Sequence, residues 1–141
     1  MRTLFLPLLL LSFTLSAQRP PRTFHTSNGT VVLHYFADGR VSTKESMDAD
    51  GRWGHSWAYD RSGETIVDRA TRTVAGHARV HFEYHPDGGV SKAEFSDAPD
   101  GGIQWYRSIT TFDPEGRRTG FIEQGHDDDG PVLRPELIGQ P

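Results

Sequence analysis

The stretch His77 to Gly89, HARVHFEYHPDGG, decides the fold. Ala78, Val80, Phe82 and Tyr84 alternate with His77, Arg79, His81, Glu83 and His85. A period of two places apolar side chains on one face of a strand and polar ones on the other. The strand then runs into Pro86-Asp87-Gly88. Proline presets φ, aspartate bonds its own backbone and glycine accepts a left-handed conformation, so a type I turn closed by a glycine bulge is expected.

The same grammar recurs outward in both directions. After Asn28-Gly29, turns centre on Gly39, Gly51, Gly63, Gly76, Gly88, Gly101, Gly116 and Gly130, about 10 to 15 residues apart, which is room for one strand and one short loop each. Acidic or proline partners accompany all of them but Gly76. The strands fall at Thr30 to Phe36, Arg40 to Met47, Arg52 to Tyr59, Glu64 to Thr73, His77 to Tyr84, Val90 to Ser96, Gly102 to Phe112 and Arg117 to Gln124, with a short one at Thr23 to Thr26. The expected fold is all-β: an antiparallel meander of about eight or nine strands built from successive hairpins. An open single sheet is expected over a closed barrel, because closure needs an apolar inward face on every strand and Arg40 to Met47 and Val90 to Ser96 fit that poorly.

At the N-terminus, Arg2 precedes the apolar run Leu4 to Leu15, with small residues at Ser16 and Ala17. Residues 1–17 read as a secretory signal peptide, too short and too interrupted by Pro7 to span a bilayer. The expected organisation is then a linker over 18–22, a β-hairpin-repeat domain over 23–130 and an irregular C-terminal tail over 131–141 that carries three prolines. A secreted or periplasmic location follows, with no membrane span after signal cleavage. The 141 residues carry 15 Lys and Arg against 19 Asp and Glu, without a basic cluster, so nucleic acid is not an expected partner. There is no cysteine; burial and strand pairing, not disulfides, hold the fold.

Alternate turns share a further mark, an aromatic residue shortly before the glycine: Tyr35, Tyr59, Tyr84 and Phe112. Their separation of about 25 residues makes a two-stranded hairpin the repeating unit. Tyr59-Asp60-x-x-Gly63, Phe112-Asp113-x-x-Gly116-Arg117, Tyr35-x-x-Asp38-Gly39-Arg40 and Tyr84-x-x-Asp87-Gly88 resemble the tyrosine-aspartate (YD, Rhs-type) repeat. Asp50-Gly51-Arg52-Trp53-Gly54 followed by Tyr59 is similar to the bacterial MORN-repeat-variant family. The resemblance implies a structural or interaction module in an exported protein and carries no catalytic residues with it.

Three constellations are candidate sites. Trp53, His55, Trp57 and Tyr59 share one face of their strand and, with Trp105, form either core or an aromatic platform for a protein or glycan. His81, Glu83 and His85 supply imidazole and carboxylate suited to a transition metal, or an ordinary solvent face paired across strands. The acidic turns Asp48-x-Asp50-Gly51, Asp97 with Asp100, and Asp127-Asp128-Asp129-Gly130 offer oxygen ligands for calcium but are turn chemistry first. No Gly-x-Ser-x-Gly elbow and no His-Glu-x-x-His pattern occurs. The expectation is an exported, non-catalytic β-hairpin-repeat protein acting as a binding or structural module, without a cofactor. Its alternatives are a small up-and-down β-barrel carrying an apolar ligand and a metal-binding protein using the His81, Glu83, His85 face.

Overall fold

A computed structural model describes residues 19–72, 78–97, 105–127 and 130–136. The expected signal peptide, His77, the turns at Gly76 and Gly101 and residues 128–129 of the last acidic turn lie outside the described residues. The chain forms β1 (Arg22–Thr26), β2 (Gly29–Tyr35), β3 (Val41–Asp48), β4 (Trp53–Tyr59), β5 (Thr65–Arg72), β6 (Arg79–Tyr84), β7 (Val90–Asp97), β8 (Trp105–Phe112), β9 (Arg118–Asp127) and β10 (Gly130–Glu136). Every pairing is antiparallel and joins neighbours in the sequence. The fold is therefore the expected all-β hairpin meander.

Two features differ from expectation. The meander divides into two open sheets, β1 to β5 and β6 to β10, instead of one; neither closes into a barrel. The tail is not irregular throughout, since Gly130–Glu136 pairs with β9 as an edge strand. Pro131 and Pro135 have the same parity along β10, so their missing N–H groups fall on one side and pairing through the other survives, as on other edge strands.

The four hairpins β2–β3, β4–β5, β6–β7 and β8–β9 end in the same turn. Phe36, Asp60, His85 and Asp113 donate their N–H to the carbonyls of Arg40, Glu64, Gly89 and Arg117 at 2.7–2.9 Å, and the glycine N–H returns to each first residue's carbonyl at 2.9–3.0 Å. Gly39, Gly63, Gly88 and Gly116 hold φ of 88–91°, a region that costs any residue with a Cβ. The register shifts at the aromatic residue in all four, at Tyr35, Tyr59, Tyr84 and Phe112. This is the type I turn with a glycine bulge, four times over.

The sheets stack face to face. Ala58, with Ile66 and Val67 at its side, meets Phe82, Val90, Ala93 and Phe112. Hairpin tips stack in order: Ala37 donates its N–H to the carbonyl of Asp87 at 2.9 Å, and Gly116 lies against Asp60. Thus β2–β3 sits on β6–β7 and β4–β5 on β8–β9. Phe36, 2% exposed, plugs the rim between them, flanked by the Arg61 guanidinium at 5.5 Å and the Arg40 guanidinium at 6.0 Å.

Polar groups also enter this interface. Thr43 Oγ1 and Tyr84 OH hydrogen-bond at 2.9 Å, and the His34 ring stacks on Tyr84 with centroids 4.8 Å apart. Burial pushes the Tyr84 hydroxyl up to about 12 and holds His34 below the usual imidazole range. Burial also raises Glu45, against the opposing effect of His81. A raised carboxyl stabilises the fold below its unfolded pKa and loses that contribution as pH rises through the folded value. Glu45→Gln is therefore expected to melt higher than the native chain at pH 7, with the difference closing toward pH 4. A difference independent of pH in thermal melts would show that Glu45 is not the titrating group. His34 works oppositely, since its lowered value makes protonation below the usual imidazole range destabilising.

Candidate functional site

Ala58 and Ser56 are buried against the second sheet, with Gly54 on the same side of β4. The alternate residues Trp53, His55 and Trp57 therefore face away from the core, on the outer side of the first sheet. The bulky face is the uncovered one because the second sheet already brings Phe82, Tyr84, Phe95 and Phe112 to the interface, leaving room opposite them for small side chains. Cross-strand pairing adds Phe24, Val31 and Leu33 to the same outer face: Phe24 pairs with Val31, Val31 with Ser46, and Ser46 with His55.

The outer face is ordered by stacking. His55 lies on Trp57 with ring centroids 3.9 Å apart and planes 4° from parallel. Lys44 Nζ is 4.9 Å from the centre of the Trp57 ring, and the Arg72 guanidinium is 5.2 Å from that of Trp53. His55 Nε2 pairs with Asp68 across the β4–β5 ladder. Trp57 is thus committed to its neighbours, whereas Trp53 is 53% exposed and Phe24 45%. Beside Trp53 a shallow groove of about 420 Å³ runs between Thr26, Asn28, Val31, Ser46, His55 and Ala70. An aromatic wall beside amide and hydroxyl groups can hold an amphipathic surface by stacking and hydrogen bonding.

The other expected members of this platform are elsewhere. Tyr59, past the bulge, lines the space among the turns with Phe36, Ile66 and Val90. Trp105 is on β8, where Tyr106 faces the first sheet in company with Phe95 and Arg69; Trp105 therefore points to the far side of the second sheet, opposite the Trp53 face.

The structure does not gather His81, Glu83 and His85. Glu83 pairs with Lys92 across the β6–β7 ladder, His85 Nε2 bonds the carbonyl of Phe112 at 2.9 Å, and His81 is exposed opposite Glu94. Among the described residues no three or more His, Asp or Glu side chains are arranged to hold a metal ion. Asp48 Oδ1 accepts the N–H groups of Arg52 at 2.8 Å and Trp53 at 3.3 Å, the capping of a turn. Asp60 does the same for Ser62 and Glu64, at 2.8 and 3.0 Å, and the Ser62 hydroxyl bond, foremost among these, holds its carboxyl below the usual range. Asp100, Asp128 and Asp129 lie outside the described residues.

Sequence reasoning missed a cleft of about 410 Å³ at the edge of the sheet stack. The first sheet ends at β5, so Phe121 and Glu123 of β9 project beyond it, beside Tyr106 and Arg69. The Arg69 guanidinium lies 3.7 Å from the centre of Phe95, and Tyr106 OH donates to Glu123 Oε1 at 2.7 Å. Tyr106, Glu123 and Arg69 are thereby engaged within the protein. Only the division into two sheets creates this cleft, and no short motif signals it.

Comparison of the chain with protein-family models, with curated proteins and with solved structures finds no match.

Proposed function

We propose that this chain is an exported, non-catalytic β-hairpin-repeat module that binds a macromolecular partner through the outer face of its first sheet. One observation carries the reading. Phe24 and Trp53 are 45% and 53% exposed on a face that also holds Val31, Leu33 and Trp57, and contiguous apolar patches of this kind mark interaction surfaces. Trp53 is the anchor, and Arg72, Lys44 and Asp68 form a charged surround. The resemblance of the turn motifs to YD and MORN-variant repeats agrees with a module whose work is contact, not chemistry.

Site-resolved crosslinking in the producing cell tests this. A photo-reactive residue replacing Ser46, which lines the groove, is expected to give a discrete adduct of higher mass. The same residue replacing Ile109, which pairs with Ile122 on the far face, is expected to give none. Equal yields at both positions, or no adduct at either, would sink the reading.

A further inference from the structure

The hairpin β2–β3 of the first sheet recurs as β6–β7 of the second. Val31, Tyr35, Asp38, Gly39, Val41, Ser42, Glu45 and Asp48 of the first recur at constant offset as Val80, Tyr84, Asp87, Gly88, Val90, Ser91, Glu94 and Asp97 of the second. Equivalent faces therefore have different fates. Val80, Phe82 and Tyr84 are covered by the first sheet, whereas their equivalents Val31 and Leu33 are on the outer face, where no described strand covers them, and Tyr35, 5% exposed, lies under the Arg19 guanidinium at 4.3 Å. The layers are related head to tail: the bulky face of one meets the small face of the other, a heterologous contact that can in principle repeat.

It can repeat only at one end. Ala37 donates its N–H to Asp87 across the layer contact; the residue equivalent to Ala37 in the second layer is Pro86, which has no N–H to donate. The far face of the second sheet also carries the ion pairs Glu83–Lys92 and Glu94–Arg107 where the first layer presents His34, Thr43 and Gly54. The stack is capped there, whereas no described strand covers the Trp53 face. A second copy does not complete it, since its own free small face is blocked by Pro86 and these charges.

Resting on the binding-module reading above, we propose that the outer face of the first sheet receives a third layer from a different protein: an antiparallel β-sheet layer whose central facing side chains are small and weakly acidic and one of whose turns offers a free N–H to the carbonyl of Asp38. The chemistry of that occupant is copied from what covers the second sheet. Gly54, Ser56, Ala58 and Thr43 are small, Glu45 is the acid among them, and Asp38 is the equivalent of the Asp87 acceptor.

The chain can be made to supply its own probe. Glu83→His, Pro86→Ala, Lys92→Thr, Arg107→Gly, Ile109→Ser and Thr111→Ala together turn the far face into a copy of the small face, with Glu94 already matching Glu45. In sedimentation velocity the native chain is expected to stay monomeric, and the grafted chain to rise in weight-average mass by about twofold or more over a tenfold concentration range, as open head-to-tail association requires. Adding Leu33→Glu and Trp53→Glu, on the opposite face, should return it to monomer. Circular dichroism reports folding, and if the sixfold variant does not fold, the pair Pro86→Ala with Lys92→Thr is tested for the same rise. A folded graft that stays monomeric overturns the proposal, as does association that survives Leu33→Glu with Trp53→Glu, or a native chain that dimerises through Trp53. Titration of the native chain with chitohexaose or maltohexaose is expected to leave tryptophan fluorescence unchanged. Saturable quenching lost in Trp53→Ala would replace the β-layer with a glycan while leaving the binding-module reading intact, and failure of the crosslink at Ser46 would remove that reading itself.

Discussion

Gly88→Ala is expected to be among the most damaging single substitutions in the chain, lowering stability by more than about 3 kcal/mol, while Gly63→Ala in an identical turn costs only about 1–2. Both glycines sit at nearly the same φ, 91° and 88°, so the conformational penalty is shared. Their surroundings differ. A Cβ on Gly88 would stand 2.2 Å from the Tyr35 carbonyl oxygen and 3.0 Å from Phe36 Cα, both backbone atoms of the other layer, whereas one on Gly63 meets nothing within 4 Å. Relief requires the layers to separate where Ala37 bonds Asp87. Urea unfolding of the two variants isolates the contact, and equal losses would mean that the tips are not packed in this order.

Phe36→Ala is the second large effect, expected at about 3–5 kcal/mol for a buried aromatic reduced to a methyl group. Its ring is the largest fully buried side chain among the described residues and abuts Gly89, with a ring carbon 3.0 Å from where a Cβ would be. Truncation also deprives Arg40 and Arg61 of their stacking surface. Trp53→Ala removes a larger side chain from the open face and is expected to cost less than about 1 kcal/mol. Chemical denaturation of both variants makes the comparison, and a loss at Trp53 that matched the loss at Phe36 would mean that the outer face is core.

The contrast between Phe36 and Trp53 marks where the sequence is legible. Strands and turns are local: the alternation through Val80, Phe82 and Tyr84 and the Asp-Gly chemistry after Tyr35, Tyr59, Tyr84 and Phe112 place nearly every strand within a few residues of its observed limits. Which face of a strand is buried is not local. The pattern of β4 separates Trp53, His55 and Trp57 from Gly54, Ser56 and Ala58, but only the bulk of the opposing sheet decides that the small side goes inward. The metal constellation fails for a related reason, since polar residues on an exposed strand face find partners across the ladder, as Glu83 does in Lys92. Two prolines hid β10, because an edge strand tolerates them and an inner strand does not. The signal that would have revealed the two layers is the longer recurrence of Val41-Ser42 and Glu45 as Val90-Ser91 and Glu94, twice the hairpin period.

Because every strand pairs with its neighbour in the chain, strand pairing within each sheet closes only single hairpins. Low contact order favours rapid folding, and single hairpins form in about 1–10 μs. The stacking of Ala37 on Asp87 and of Asp60 on Gly116 joins segments far apart in the chain, and its closure entropy must be met before those contacts form. Docking of the two sheets is therefore expected to limit the folding rate: in stopped-flow refolding, substitutions at the stacked tips are expected to slow the observed phase while those around Trp53 leave it unchanged.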